Sequence, residues 1–530
     1  MKNIRFIFAA VLGMMLAACS TDEIVQNSAT NGAEGGNPMP FSATISTPAG
    51  TRGLTEVDGK SISAKWEVGE PIALIHGKTV DVLKVTSIDN EGVATIDGTI
   101  NSATEGEDVH VVYIGTSTKG MDAFKTKLGT PAATITKTMI DNAVNQLWSA
   151  PQLGTLDAID EGLDYRYASS TLTCPGSVFT FKTAVTPESR LAVWKLSLTD
   201  SNKKTLSTKE LSIKDGNTTL LSVTAVVALS DFYVVLPALS GKNLTITAAV
   251  EPDTYTATKT GVTLNSGYFY QSAVQLAPVP YTSPNTFKVW NATTKKFEKV
   301  NLSSDDGVKT ISSSTVGDFF KAEGMQAGKY IVEGSVSHTG NVMVGGPGTL
   351  ELYLQDDASL TINGSLGASD IEGLKIASQA AGTGKLTVNA TEGDGINAQK
   401  LTVDGGQVTV NTSAAESTTL VVNELVANNG SVTATNTGGA CMNVNDDVTI
   451  SVGDADVSLT GTNAAVTIAA GKTLSIKPAY NAAKGSIKAK ATASGGKAIS
   501  GGGTVKVRDR NDNITPLDLG NMKPESEIFF

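Results

Sequence analysis

Three cysteines and three histidines are all that 530 residues contain. Cys174 and Cys441 stand far apart and fall in different expected domains, which argues against a disulfide framework. His76, His110 and His338 show no metal-ligand spacing among themselves or with a cysteine, so no zinc-type site is expected. Aromatic residues make up only 5% of the chain, and Thr, Val, Ala, Ser and Gly dominate, a mixture that favours short strands and tight turns over helices. The balance of 41 basic against 52 acidic residues leaves a net charge of −11 without a basic patch, and this excludes nucleic acid as a natural partner. After Leu16 no apolar run approaches the roughly 20 residues of a membrane-spanning helix.

What the chain does have begins at its start. Lys2 and Arg5 precede an apolar stretch, Phe6 to Leu16, of the length of a secretory h-region. Leu16-Ala17-Ala18-Cys19 resembles the lipobox of bacterial lipoproteins, which implies cleavage before Cys19 and acylation of its thiol. Residues 1–18 are therefore expected to be a signal peptide, and residues 19–40, rich in Ser, Asn, Gly and Pro, a lipidated tether. Lipid on Cys19 would be the attachment to the outer membrane.

At this length a single core is not expected. Short alternating or apolar segments succeed one another from Phe41-Ser-Ala-Thr-Ile45 through Ile72–Ile75 and Val80–Ile100 to Val109–Ile114. A second series runs from Val178-Phe-Thr-Phe-Lys182 to Tyr268–Leu276. Both read as β-sandwiches, over residues 41–150 and 151–280. Residues 281–330 read as a linker and cap, with helical spacing over Val316–Ala322.

From there the pattern changes. Leu401-Thr-Val403, Leu425-Val-Ala427 and Val448-Thr-Ile450 recur at intervals of 24 and 23 residues, with a companion series Val408, Val432, Val457 and Gly, Asn or Asp between. Units this small cannot bury a core alone, so stacking into a parallel β-solenoid over residues 331–515, with a tail over 516–530, is expected; a twisted stack of hairpins is the competing reading. The fold class is thus all-β: two tandem β-sandwich domains followed by a β-helix-like solenoid.

The order lipobox, tether, Phe41–Ile45, Thr51-Arg52, then Trp66-Glu-Val-Gly-Glu70-Pro-Ile72 resembles the fimbrillin-like surface lipoproteins of anaerobic Gram-negative bacteria, over roughly residues 1–280. Leu153–Leu156 and Asp164-Tyr165 look like that family's bridge between sandwiches. The Gly-rich second half looks instead like solenoid repeats sometimes called carbohydrate-binding, most clearly at Gly393–Ile396 and Leu401–Gly406.

The resemblance implies a fimbrium assembled by β-strand exchange with other pilin subunits. Proteolysis after Arg52 would remove the strand Phe41, Ser42, Ala43, Thr44, Ile45, and a neighbour's strand would fill the vacated groove. The alternative is that Arg52 is a solvated loop residue and the strand stays.

Asp356-Asp357, Asp446-Asp447 and Asp454 with Asp456 offer the remaining chemistry, as Ca²⁺ turns or as paired carboxylates of a polysaccharide hydrolase or lyase. The solenoid faces around them are mainly Thr, Ser, Asn and Val, so no enzyme, cofactor or metal is expected. Thr, Asn and occasional aromatics such as Tyr353 are the candidate contacts for a glycan or host surface ligand. The expected role is a tip adhesin or minor pilus subunit, with an anchor subunit or stand-alone glycan-binding lipoprotein as alternatives.

Overall fold

The computed structural model describes residues 38–46, 55–57, 61–63, 65–321, 323–481 and 483–529. Strand accounts for 55% and helix for 8%, with a C-terminal parallel solenoid of about seven turns, so the all-β class holds.

The first domain is built from one antiparallel sheet that curls back on itself. Its strands lie in the order Pro38–Ile45 (β1), Ala94–Asn101, Thr79–Ile88, Pro71–His76, Asp108–Tyr113, Arg166–Thr173 and Glu188–Ser189. Because the last strands lie beyond residue 150, the boundary expected there is corrected to the two-residue link after Ser189, beyond which Ala192–Thr199 opens the next sheet. Backbone pairing decides this, and a run of apolar residues does not report it.

The motif Trp66–Ile72 forms the corner that starts this sheet. Trp66 is buried and meets Tyr113 edge-on at 5.6 Å, while Gly69, at φ +100°, turns the chain so that its N–H reaches Val85 O at 2.8 Å. Glu70 is buried beside it and accepts the Tyr113 hydroxyl at 3.1 Å.

Three helices on the outer face of the sheet were absent from the sequence reading. They are α1 (Thr118–Leu128), α2 (Lys137–Trp148) and α3 (Leu156–Gly162), capped by Ser117, Thr136 and Thr155, whose side chains accept first-turn N–H groups. Ile140, Ala143, Val144 and Trp148 supply the buried stripe of α2 at helical spacing. These helices share a core with Ile75 and Val112 of the first sheet and with Val193 and Val235 of the second domain, so the two sandwiches are joined by packing.

The second domain is an open sandwich. A three-stranded sheet (Asp231–Leu236, Ala192–Thr199, Phe269–Gln275) faces a five-stranded one that begins at Thr218–Leu229. Trp194, Leu196, Phe232, Leu211 and Ile246 fill the space between.

The solenoid shows the expected ladders. Leu360, Leu386, Val408, Val432, Val457 and Ile487 stand in register down one side. Down another run Leu374, Leu401, Leu425, Ile450 and Ile476. Here the sequence alignment slips by two residues, because Ile450 rather than Val448 opposes Leu425. A two-residue shift keeps every side chain on its own face, so the apolar pattern cannot distinguish the two registers.

Asn363, Asn389 and Asn411 stack amide on amide at 2.9–3.1 Å along the outside. Gly430 is obligatory at its turn: φ is +87°, and a Cβ would lie 2.2 Å from Gly406 O.

Two further corrections concern the ends. Residues 281–330 are integral to the solenoid, since Thr286–Asn291 and Lys296–Asn301 form a hairpin that joins its sheet at Lys288 and Ser378, with Phe287 packed against Ile331, Tyr353 and Ala377. Val316–Phe319 is a short helix at the first rung, as the spacing indicated. The tail over 516–530 contributes Glu525–Phe529, an antiparallel strand on Ser486–Ala491 that covers the last rung's edge.

The solenoid also docks on the second sandwich. Lys288 Nζ and Asp253 form a buried ion pair at 2.9 Å, Tyr281 donates to Asp253, and Lys204 donates to Asp454 O at 2.7 Å.

Candidate functional site

Cys19 and Arg52 lie outside the described residues. The strand Phe41–Ile45 does not, and its setting is the most informative site in the first domain.

β1 is held on both edges. Along one it pairs antiparallel with Ala94–Asn101 at all eight positions, from Pro38 opposite Asn101 to Ile45 opposite Ala94. Along the other it bridges in parallel to residues 179–185, with Ser42 N donating to Phe179 O at 3.0 Å, Phe179 N to Pro40 O at 2.9 Å, and Ser46 N to Val185 O at 3.0 Å. The curled sheet is thereby closed, with β1 as its last stave.

Alternation fixes the depth of the strand. Phe41, Ala43 and Ile45 are buried, at 2%, 6% and 0% exposure, while Ser42 and Thr44 are exposed. Phe41 meets Phe181 edge-on at 5.2 Å, and the pocket is completed by Leu172, Phe179 and Val185. Taking β1 away would leave two rows of unpaired backbone groups facing each other across an apolar trough.

Residues 178–182 read from sequence as the opening of the second domain, yet Phe179 and Phe181 belong to the first. They are the wall that sequence reasoning missed.

No family model and no curated protein matches this chain. Several of its structural neighbours are fimbrial proteins of Bacteroidales. A fimbrial assembly protein from Parabacteroides distasonis aligns at 10% identity over 50% of this chain and 99% of its own, with a TM-score of 0.24. The tip fimbrial protein Mfa3 from Porphyromonas gingivalis, with a C-terminal truncation, aligns at 11% identity over 46% and 83%, with a TM-score of 0.19. For a fimbrial protein from Bacteroides ovatus the identity is 9%, the coverage 48% of this chain but only 52% of that one, and the TM-score 0.23. At these scores the likeness carries no argument, and the functional reading rests on the groove.

The remaining candidates resolve into structural roles. Asp447 and Asp454 accept backbone N–H groups of Thr473 and Lys484, Asp456 accepts the Ser486 hydroxyl, and Asp446 pairs with Lys472, each stitching one turn to the next. Asp356 likewise accepts Ala381 N. Among the described residues no group of three or more His, Cys, Asp or Glu side chains is placed to hold a metal ion. Cys174 and Cys441 are both free thiols, and burial pushes that of Cys441 up to about 12. Tyr353 is buried under Phe287 at 5.2 Å, which corrects its expected role as a sugar contact.

His76 is buried between Asp81 (Nε2 to Oδ2, 3.0 Å) and Glu107 (Nδ1 to Oε2, 3.3 Å). Burial opposes its charge, but the Asp81 hydrogen bond and both carboxylates outweigh that and raise its pKa. For Asp81, burial is likewise outweighed by His76 and Asn101, and its pKa is lowered.

The His76 contribution to stability should be complete below its unfolded pKa of about 6.5 and vanish as pH rises through the folded value. That of Asp81 is present above about 3.9 and lost as pH falls through its own folded value. Hydrogen exchange of Pro71–His76 should therefore speed up from pH 6 to 9 beyond the intrinsic rate, and His76→Gln should flatten the trend; a wild-type profile without it would count against a charged pair.

Proposed function

We propose that the chain is a cell-surface pilus subunit of the adhesin type, lipid-anchored in the outer membrane through Cys19 during export and assembled by β-strand exchange at the β1 groove. The single observation that carries this reading is the double-edged seating of β1. A strand bonded along one edge leaves a single open edge when it peels, whereas one inserted between Ala94–Asn101 and residues 179–185 leaves a two-sided slot shaped for another strand. Arg52 comes after β1 in the sequence and is the proposed cleavage point. Main-chain pairing would supply affinity in the slot, and the pockets of Phe41, Ala43 and Ile45 would supply register.

The solenoid at the C-terminal side of the sandwiches favours tip position over stalk. The last described strand, Glu525–Phe529, is already paired within the solenoid and is not itself a free donor. A tip subunit needs only an acceptor groove and leaves the solenoid as the presented part.

The test is maturation in cells. Mass spectrometry of the assembled protein should find an N-terminus at Gly53, and Arg52→Ala should retain β1 and abolish incorporation into fimbriae while the melting temperature stays close to that of the wild type. Fimbriae that incorporate the uncut variant at the wild-type level would exclude exchange at this site and leave an anchor subunit that keeps its first strand.

A further inference from the structure

The hairpin that docks on the solenoid creates a second, independent feature. Its first strand ends at Trp290 and Asn291, and between Trp290 and the outer face of the ladder lies a cleft of about 440 Å³. That volume falls in the range of small-molecule sites, about 300–1,000 Å³.

The indole is held in place. It stacks on Tyr480 at 4.5 Å with planes 19° apart, and Phe297 meets it edge-on at 5.1 Å. Below it, the buried Asp404 carboxylate accepts Trp290 N at 3.1 Å, Asn428 Nδ2 at 2.8 Å and Lys375 Nζ at 3.1 Å. Asn428, 1% exposed, lines the cleft, and its Oδ1 has no hydrogen-bond partner among the described residues.

The floor is a column of outward side chains in register, Lys375, Thr402, Val426, Ser451 and Lys477, one per rung. Four rung spacings of about 4.8 Å make it about 19 Å long. Each spacing is close to the length of one pyranose ring in an extended chain.

The lining charges cancel, with Lys375, Lys400 and Lys477 set against Glu372, Asp404 and Glu424, and Lys400 pairs with Glu424 at 2.7 Å. A rigid aromatic wall, a hydrogen-bonding floor and no net charge suit a ligand with apolar C–H faces and many hydroxyls. They do not suit a polyanion.

We propose that this cleft binds an uncharged oligosaccharide lying along the stack axis, with one ring against Trp290. The assignment rests on the reading of the solenoid as the presented part of a surface protein and names the class of ligand it would engage.

Calorimetric titration of the full chain with cellohexaose, mannohexaose and maltohexaose, and with hexagalacturonate as the anionic control, tests it. At least one neutral hexasaccharide should saturate with a Kd below about 1 mM, with hexagalacturonate weaker. Trp290→Ala should weaken binding about tenfold or more. Because that change also removes the Tyr480 stack, Thr402→Trp is the second variant: it fills the cleft from an outward position, leaves the core untouched, and should abolish binding with an unchanged circular dichroism spectrum.

No saturation by any neutral hexasaccharide, tighter binding of hexagalacturonate, or full binding by the Thr402→Trp protein would each overturn the assignment. Protease shaving of intact cells reads the underlying proposal separately. A shaved, surface-exposed chain that binds no sugar loses only the cleft, and a sugar-binding chain protected from shaving loses only surface presentation.

Discussion

Removal of residues 1–46 is expected to lower the melting temperature of the first domain by roughly 10–20 °C, and a synthetic peptide spanning residues 38–46 is expected to restore it. The magnitude comes from burial. Phe41 and Ile45 are 2% and 0% exposed, and side chains of this size contribute about 1.5–3 kcal/mol each when fully buried, so about 3–6 kcal/mol is lost before any backbone pairing is counted. Domain stabilities are about 5–15 kcal/mol, so the truncated domain would be marginal.

Rescue in trans discriminates between two roles for β1. If the slot between Ala94–Asn101 and residues 179–185 keeps its shape, the peptide re-enters with the same register and saturates the recovery. A peptide with Phe41 and Ile45 both changed to Asp should fail, because each charge would be buried without a partner. Recovery that is absent for the native peptide, or equal for the Asp peptide, would mean that the slot collapses when empty and cannot accept a neighbour's strand.

The second large effect concerns location. In the uncut Arg52→Ala background, which keeps residues 19–52, Cys19→Ala should move most of the protein from the membrane fraction to the soluble fraction, because among the described residues no helix is long and apolar enough to cross a membrane. Radiolabelled palmitate should be incorporated by the uncut form that keeps Cys19 and not by its Cys19→Ala counterpart. A Cys19→Ala counterpart that stays with outer membranes to the same extent as the uncut form, after washing in high salt, would place the attachment elsewhere in the chain or in a partner.

How much of this was legible beforehand depended on the range of the interactions involved. Alternation over Phe41–Ile45 identified a half-buried strand, because a period of two is a local property of extended backbone. The same holds for Leu401-Thr-Val403 and its repeats, where each unit carries the same inward pattern. The helices over 118–162 were passed over although Ser117, Thr136 and Thr155 precede them as N-caps and Ile140, Ala143, Val144 and Trp148 have helical spacing. There the signal existed and was outweighed by the surrounding strands.

Other features had no local signal. Phe179 and Phe181 read as an ordinary strand, and nothing within a few residues of them says that they close a groove on β1, more than 130 positions away. Trp290 and Asp404 are 114 positions apart and meet only because a hairpin folds over the outer face of the stack. Tyr353 looked available for the converse reason, since the residue that covers it, Phe287, lies in a segment that composition marks as linker.

The sequence by itself therefore determined the β class, the succession of sandwiches and solenoid, and the half-buried strand at Phe41–Ile45. Each of these comes from periodicity and turn chemistry, which act over a few residues. The tertiary structure alone decided that β1 is gripped on two edges, that the first domain extends past residue 150 to include Arg166–Thr173, that Ile450 rather than Val448 faces Leu425, and that the hairpin roofs a cleft. These depend on which backbone edges find each other and which side chains are then covered, and pairing between segments tens to hundreds of residues apart leaves no imprint on either segment read alone.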